Sequence, residues 1–378
     1  MGPLHGVRIL ELAGIGPGPF CGMMLADMGA DVIRIDRPGG GALAAGMHRV
    51  LFRNRRTLAL DLKHPEGAAA LRRMCRTADA IFEGFRPGVV ERLGVGPDAC
   101  AAENPRLVYG RMTGWGQTGP LAKAAGHDIN YISLSGALHS IGRRGERPVP
   151  PLNLVGDFGG GGMMLAFGIV CGILEARSSG KGQVIDASMV EGSAALMAMF
   201  FGAKTSGLHR EERGTNALDT GAPFYEVYET KDGRYVSVGP IEPQFFAILR
   251  DRLGLDESFG AQLDISAWQT QKAVLAKVFL EKTRDEWEAV FAGTDACVAP
   301  VLSMEEAPHH PQNAARGSFV TVDGAVQPAP TPRFSRTEPG TPEPMKDLGV
   351  DTRAVLSDYG FEAAEIDRLI ASGAAAAI

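Results

Sequence analysis

The fold is decided by Val7-Arg8-Ile9-Leu10-Glu11-Leu12, by the turn Gly14-Ile15-Gly16-Pro17-Gly18-Pro19-Phe20, and by Asp31-Val32-Ile33-Arg34-Ile35-Asp36. The first and last segments are typical of strands, and the apolar residues 21–28 between them indicate a helix. A strand, a helix and a second strand in this order form a β-α-β unit with two parallel strands. The chain is therefore predicted to open as an α/β domain.

The first turn invites comparison with a dinucleotide-binding loop, because the acidic residue Asp36 ends the second strand about twenty residues later. The glycines do not follow the spacing Gly-x-Gly-x-x-Gly, since the third comes one residue early. Pro17 and Pro19 also remove two backbone donors from the loop that would hold a pyrophosphate. We therefore do not predict nicotinamide binding, and we place Pro19 at the first position of the helix.

The pattern of short apolar strand, glycine turn and amphipathic helix recurs along the chain. Further strands are expected within residues 58–63, 80–85, 105–112 and 182–191. This recurrence predicts a doubly wound, Rossmann-like α/β domain, in which ligands bind beyond the carboxyl ends of the strands.

The length of the chain allows two domains. Residues 1–203 are predicted to form the large doubly wound domain, completed by residues 331–378 that return from the C-terminus. Residues 204–221 are interpreted as a linker, because they are polar and bear glycine. Residues 222–330 are predicted to form a smaller α/β domain.

Three local features complete the fold prediction. A hairpin is expected around Lys231-Asp232-Gly233 in the small domain. The charge-free run from Phe158 to Leu174 predicts a buried helix rather than a membrane span. A short amphipathic helix is expected from Ala354, followed by an Ala-rich tail that should be frayed.

Composition limits the classes of partner and compartment. The 378 residues include 38 basic and 44 acidic side chains, a net charge of −6 without long runs of one sign, so neither nucleic acid nor a membrane is expected as a partner. The five cysteines are odd in number and widely spaced, which favours reduced thiols over a disulfide framework or a zinc site. The N-terminus lacks the features of a signal peptide, so a cytoplasmic protein is expected.

Basic residues cluster around loops that follow predicted strands. Arg37 leaves the second strand, and Arg53, Arg55, Arg56 and Lys63 come farther along. Guanidinium groups hold phosphates through paired donors. A solvated basic face accounts for the same pattern equally well, so these residues alone leave both interpretations open.

An ionisable side chain stands beside glycine in two places, His127 after Gly126 and Asp157 after Gly156. Each precedes an apolar run of helical character, and the N-terminus of a helix is where backbone N–H groups converge on a developing anion. A catalytic acid/base pair fits this placement. An N-cap with a hydrogen-bonded core histidine fits the spacing as well.

Eight short blocks occur in this order: Leu10-Glu11-Leu12-Ala13-Gly14 with Gly16-Pro17-Gly18-Pro19, Asp36-Arg37-Pro38, Leu60-Asp61-Leu62-Lys63, Gly126-His127-Asp128-Ile129-Asn130-Tyr131, Pro151-Leu152-Asn153-Leu154 with Asp157, Gly180-Lys181-Gly182-Gln183, Gly221-Ala222-Pro223-Phe224-Tyr225, and Ile241-Glu242-Pro243-Gln244-Phe245. Together they closely resemble the α-methylacyl-CoA racemases, which belong to the family III CoA-transferase superfamily. The resemblance runs in unbroken order from about residue 4 to about residue 335.

The resemblance implies a large doubly wound domain and a small α/β domain, in two chains that interlock as a homodimer. It also implies coenzyme A thioester substrates. The residues implied at the nucleotide are Arg37, Leu60, Asp61, Leu62 and Lys63. The residues implied along the pantetheine and thioester are Ala125, Gly126, Ile129 and Asn130. Under the resemblance, the basic cluster is expected to contact phosphate.

The resemblance also assigns catalytic roles. His127 and Asp157 match the family's two acid/base residues, and Glu242 matches a carboxylate near the histidine. Inverting a carbon next to a thioester carbonyl requires a base on one face and an acid on the other, and burial would keep Asp157 protonated. The backbone N–H of Asp128 is the candidate donor to the enolate oxygen, and Glu242 would set the tautomer of His127. No metal, flavin or pyridoxal cofactor is expected, because coenzyme A enters as part of the substrate.

Two other functions remain open at this stage. A CoA-transferase of the same superfamily would use an aspartate as the acyl-accepting nucleophile, and Asp128 stands at that position. His127 directly before it, with Asp157, favours the racemase. A CoA-thioester binding protein without turnover is the third possibility, which the presence of His127, Asp157 and Glu242 disfavours.

Overall fold

The structure, a computed structural model, describes residues 2–40, 46, 48–256 and 259–378. The chain divides into two compact units. The first contains Met1–Ser135, Leu152–Leu196 and Ala314–Ile378, and the second contains Gly136–Pro151 and Met197–Asn313. The first unit is therefore built from three separate stretches of the chain.

The first unit is organised around one sheet. In chain order its strands are β1 (Arg8–Leu12), β2 (Asp31–Asp36), β3 (Arg56–Leu60), β4 (Ala80–Glu83), β5 (Val108–Thr113), β6 (Val184–Ser188) and β12 (Ala375–Ala376), and a separate hairpin consists of β10 (Phe319–Val322) and β11 (Ala325–Pro328). The order across the sheet is β12-β3-β2-β1-β4-β5-β6. Neighbouring strands are parallel except β12, which runs antiparallel to β3. This is the strand order of a doubly wound fold, so the predicted α/β class and the parallel pair of β1 and β2 are confirmed.

Helices cover both faces of this sheet. They are α1 (Pro17–Asp27), α2 (Pro65–Cys75), α3 (Val89–Arg92), α4 (Pro97–Glu103), α5 (Asp128–Leu134), a π-helix (Leu154–Met163), α7 (Met164–Ser179), α8 (Met189–Leu196), α14 (Thr352–Asp358) and α15 (Ala363–Ala371). Successive strand residues enter different apolar clusters, Leu10 on one face and Ile9 on the other. This alternation follows from the two-residue period of a strand, and both faces of the sheet are buried.

The helix after the first turn begins earlier than predicted. α1 starts at Pro17, whereas the sequence placed Pro19 at its first position. Both prolines are tolerated because the N–H groups of a helix's first turn have no partner within the helix. Gly16, the N-cap, has φ 66° and ψ −114°, a conformation open almost only to glycine. The turn therefore lies at the carboxyl end of β1 with its shape fixed by Gly16.

The predicted charge-free helix forms the later part of the π-helix and most of α7. Residues Leu154–Ser179 are long and apolar enough, by length and composition, to cross a membrane, as core helices of soluble proteins also are. Leu165 and Ile169 are buried against the sheet. Phe167 and Leu174, in contrast, are 68% and 71% exposed. The prediction of a core helix is therefore confirmed for one face of α7, while the other face is apolar and exposed.

The second unit contains a smaller antiparallel sheet and helices. Its strands are β7 (Glu226–Glu229), β8 (Tyr235–Val238) and β9 (Val298–Pro300), in the order β7-β8-β9. Its helices are α6 (Ala137–Ser140), α9 (Ala198–Thr205), α10 (Pro243–Arg252), α11 (Trp268–Phe279), α12 (Arg284–Phe291) and a 3-10 turn (Ala307–His309), with α13 (Pro311–Arg316) at the boundary. β7 and β8 form the predicted hairpin. Aromatic side chains such as Phe224 and Trp268 fill the core beside it.

The two units divide the chain at other positions than those predicted. Residues 136–151 and 197–203 lie in the second unit, and residues 314–330 lie in the first. The last segment carries β10 and β11. Arg53, in the segment before β3, donates to Gln327 Oε1 at 2.8 Å and to the Pro328 carbonyl at 2.7 Å. These hydrogen bonds join the hairpin of β10 and β11 to the first unit.

The prediction of a frayed C-terminal tail is wrong. Ala375 of β12 pairs opposite Leu60 of β3, and Ala374 accepts a hydrogen bond from the Asp61 N–H at 2.8 Å. Ala374 and Ala375 are both buried. Small side chains let this short strand lie close under the neighbouring helices, and it covers the edge of the sheet that β3 would otherwise expose.

Candidate active site

His127 lies on the connection after β5 and directly precedes α5. Its side chain is exposed, so the alternative of a core histidine is not what the structure shows. Its backbone N–H donates to Asn130 Oδ1 at 3.0 Å, the reciprocal bond of a capping box. This hydrogen bond fixes the backbone of His127, while its imidazole ring stays accessible to a ligand.

Asp157 lies in the first turn of the π-helix and is half-buried. Its Oδ2 accepts a hydrogen bond from Asn153 Nδ2 at 3.0 Å. A Cβ at Gly16 would lie 3.0 Å from the same oxygen, so the turn after β1 contacts this carboxyl group closely. The sequence predicted a helix here but not its π geometry, which is rare and frequently found at functional sites.

Asp128 connects the two predicted halves of the site. Its side chain is 6% exposed, and its Oδ1 accepts a hydrogen bond from the Asp157 backbone N–H at 2.7 Å. A Cβ at Gly156 would lie 2.5 Å from that oxygen, so glycine is needed for this approach. The residue next to His127 therefore binds the backbone of Asp157 directly.

The surroundings of Asp157 favour its protonated form. Burial raises the pKa of this carboxyl above its usual value, and the Asp128 carboxylate adds to the effect. The Asn153 hydrogen bond, the largest influence after burial, lowers the pKa, and His127 lowers it by the smallest amount. Within the described residues, neither an ion pair nor a hydrogen bond joins His127 to Asp157. The site thus combines a carboxyl group of raised pKa with a separate, accessible imidazole.

Two aromatic side chains that the sequence analysis did not single out support the His127 loop. The Tyr131 hydroxyl donates to the Gly126 carbonyl, and its ring meets Trp115 edge-on with the ring centroids 4.8 Å apart. Burial raises the pKa of Tyr131, so its hydroxyl remains a donor. Tyr131 belongs to the same sequence block as His127, but only the folded geometry shows the contact with the preceding glycine.

Of the residues expected at the nucleotide, Arg37 follows β2, Leu60 is the last residue of β3, and Asp61, Leu62 and Lys63 follow β3. Arg37 and Lys63 are exposed on these loops. Asp61 Oδ1 accepts from the Lys63 backbone N–H at 2.9 Å and so shapes the turn. Leu60 is buried in the sheet core, with Leu62 packed partly buried against it. The residues expected along the pantetheine are the exposed Ala125, Ile129 and Asn130 with the half-buried Gly126.

The interpretation of Arg53 and Arg55 as phosphate ligands is wrong. They are only 2% and 1% exposed. Arg53 Nε donates to Asp27 Oδ1 and Arg55 Nε to Glu11 Oε2, each at 3.0 Å. A buried guanidinium requires a carboxylate partner, and these pairs fasten the segment before β3 to α1 and β1.

Glu242 lies in the second unit, where it is exposed at the N-cap of α10 and directly precedes Pro243. Among the residues that the structure describes, no group of three or more His, Cys, Asp or Glu side chains is arranged to hold a metal ion.

Known proteins resemble this chain over nearly its whole length. Residues 4–352 match the family described as CoA-transferase family III. α-Methylacyl-CoA racemase of Mus musculus is 50% identical, with 98% of each chain covered. The Homo sapiens enzyme of the same name is 48% identical, with 97% of this chain and 96% of its own covered. A CaiB/BaiF family protein from Brucella suis shares the fold with a TM-score of 0.83 at 24% identity, covering 95% of this chain and 99% of its own. The chain belongs to the family III CoA-transferases.

Proposed function

We propose that this protein is a racemase that interconverts the two epimers of 2-methylacyl-CoA thioesters at the α-carbon. The observation that carries the proposal is a half-buried Asp157 carboxyl of raised pKa near an accessible imidazole, His127, to which it is not bonded. Inversion at a carbon requires two such groups. The two relatives named α-methylacyl-CoA racemase, each about half identical to this chain, support the substrate class.

The proposed reaction moves protons only. For one epimer, neutral His127 removes the α-proton, the electron pair enters the carbonyl group to give an enolate, and protonated Asp157 delivers a proton to the opposite face. For the other epimer the roles reverse, with ionised Asp157 as the base and protonated His127 as the acid. The raised pKa of Asp157 brings its proton affinity closer to that of an imidazole, which makes exchange in both directions feasible.

The enolate oxygen needs a donor that is already in place. The backbone N–H of Asp128, at the first position of α5, is the proposed donor, because the N–H groups of a first helical turn have no partner within the helix. No cofactor is proposed, since the reaction involves neither electron transfer nor a new covalent bond to the protein.

Coenzyme A is proposed to bind along the carboxyl ends of the strands. Arg37 and Lys63 are exposed beyond β2 and β3, where their charges suit the phosphates of the nucleotide. The exposed residues Ala125 and Ile129 would then lie along the pantetheine, next to His127. Arg53 and Arg55 take no part in this proposal, because both are buried.

We also propose that two chains form a homodimer. On the outward face of α7, the side chains of Phe167 and Leu174 are 68% and 71% exposed. Val184 of the edge strand β6 is 52% exposed. An apolar face of this kind on an otherwise well-packed unit is typical of an interface. Sedimentation analysis should give twice the mass of the chain, and Phe167→Asp should shift the protein towards the monomer.

The CoA-transferase alternative gains no support from the position of Asp128. An acyl-accepting carboxylate has to reach the thioester carbon, whereas the Asp128 side chain is 6% exposed and accepts the Asp157 N–H. Its side chain is therefore placed to bind the π-helix rather than to attack a substrate.

Incubation with a single (2R)-2-methylacyl-CoA in deuterated water, without an acceptor acid, tests the proposal. A racemase yields both epimers and introduces one deuterium at the α-carbon. Acyl transfer that requires an acceptor acid, with a covalent acyl adduct at Asp128 and no α-deuterium, would establish the transferase. Binding without either reaction would indicate a protein that does not turn the thioester over.

A further inference from the structure

The Asp128 carboxylate is buried in an unusual way. Its Oδ1 accepts the Asp157 backbone N–H at 2.7 Å, while its Oδ2 is inaccessible to solvent and has no hydrogen-bond partner among the described residues. No Lys, Arg or His of the described chain lies within ion-pair distance of it. A buried, unpaired carboxylate is costly, so its retention here points to a role beyond packing.

The Oδ1 atom of this carboxylate faces the start of the π-helix. The Asp157 N–H belongs to the first turn, whose N–H groups have no partner within the helix. A carboxylate accepting such a group is stabilised by the aligned peptide dipoles. Only a glycine at position 156 lets the Asp128 carboxylate come this close to the π-helix. A Cβ there would lie 2.5 Å from Asp128 Oδ1 and 2.9 Å from its Cγ.

This bond joins the two stretches that carry the proton-transferring groups. Asp128 follows His127 in the chain, and its acceptor oxygen holds the backbone of Asp157 itself. One hydrogen bond therefore connects Asp128, the neighbour of His127 in the chain, to Asp157. Asn153, which donates to Asp157 Oδ2 at 3.0 Å, then fixes the direction of that side chain from the opposite end.

We propose that Asp128 is a positioning residue whose side chain sets the separation between His127 and Asp157, and that its carboxylate is not an acyl acceptor. The proposal rests on the proposed racemase function. Its negative charge also favours the protonated form of Asp157. Asp157 is faced by His127, by Asp128 and Tyr131 of α5, and through the Gly16 turn by His48, whose Nε2 lies 3.4 Å from the Gly16 nitrogen.

Two substitutions separate position from charge. Asp128→Asn keeps an oxygen that accepts the Asp157 N–H but removes the charge. We expect kcat within about tenfold of the unaltered protein, with the acid limb of the pH profile moved to lower pH, because Asp157 then loses its proton more easily. Asp128→Ala removes the acceptor. We expect kcat to fall by about 10²-fold equally in both directions, with KM nearly unchanged, because both faces depend on the same separation.

Asp264→Ala serves as the matched control, because its Oδ1 also accepts a backbone N–H, that of Ser266 at 3.0 Å, but in the second unit. It should leave kcat and the pH profile unchanged. The inference is overturned if Asp128→Ala retains kcat within about threefold, or if Asp128→Asn leaves the acid limb in place; the second result decides even where the alanine variant does not fold. Failure of the racemase proposal itself is distinguished by the unaltered protein, which would then introduce no α-deuterium.

Discussion

Replacing Gly16 by alanine displaces the Asp157 side chain but leaves its carboxyl group chemically unchanged. Gly16 has φ 66° and ψ −114°, which an L-residue rarely adopts. The new Cβ would lie 3.0 Å from Asp157 Oδ2 and 3.6 Å from its Cγ. The substitution therefore strains the turn after β1 and displaces the carboxyl group at the same time.

The size of both effects follows from this geometry. A non-glycine residue in this backbone region costs about 1–3 kcal/mol, and the smaller conformational freedom of the unfolded alanine chain offsets roughly 0.5 kcal/mol. A net loss of about 1.5 kcal/mol lowers the unfolding midpoint of a unit of this size by roughly 3 °C. The carboxyl has to move by a few tenths of an ångström. Because a displacement of about 1 Å can cost 10²-fold in rate, we expect kcat to fall about tenfold.

Thermal unfolding and initial rates of epimerisation measure the two effects on the same preparation. Gly14→Ala is the control in the same turn, because its φ lies outside the left-handed region and a Cβ there meets no atom within 4 Å. It should leave the midpoint within about 1 °C and the rate within about threefold. A Gly16→Ala protein with the unaltered midpoint and rate would refute the close contact between this turn and Asp157.

Three further substitutions test the electrostatics and the buried pairs. Asp157→Asn should lower kcat by about 10²–10⁴-fold. Because the pKa of Asp157 is raised in the folded protein, the stability that its protonated form contributes is present at low pH and is lost as the pH rises through that pKa. The variant should therefore unfold at a higher temperature than the unaltered protein at neutral pH, and at the same temperature in acid. Asn153→Ala removes a hydrogen bond that lowers the pKa of Asp157, so the acid limb of the rate profile should move to higher pH; an unmoved limb would contradict this. Arg55→Leu leaves Glu11 buried without its cation and should cost about 3–5 kcal/mol in urea unfolding, whereas a loss below about 1 kcal/mol would show that the pair contributes little.

The sequence predicted the fold class because local patterns determine it. Short apolar strands, glycine turns and amphipathic helices recur along the chain, and the parallel pairing of β1 with β2 follows from the helix between them. The boundaries between the two units were not predictable in the same way. The hairpin of β10 and β11 belongs to the first unit because Arg53 bonds to Gln327 across 274 positions of the chain, which no local pattern reveals.

The candidate site was only partly predictable. The sequence identified His127 and Asp157 as candidates from their glycine neighbours and from the resemblance. It also grouped Arg53 and Arg55 with the exposed Arg37, because charge clusters look alike whether or not an acidic partner lies elsewhere in the chain. The partner of Arg55 is Glu11, separated from it by 44 positions. The π geometry and the bond from Asp128 to the Asp157 backbone likewise depend on long-range packing, so the sequence contained no signal for them.

Isotope exchange with single epimers tests the central claim, that His127 and Asp157 act on opposite faces of one carbon, most directly. The (2R) and (2S) thioesters are incubated separately in deuterated water with Asp157→Asn and with His127→Ala. We expect Asp157→Asn to exchange the α-proton of one epimer without inversion, because His127 still removes and returns a proton on its own face, and His127→Ala to do so only for the other epimer. Epimerisation retained in either variant, or exchange of the same epimer by both, would contradict the two-base account.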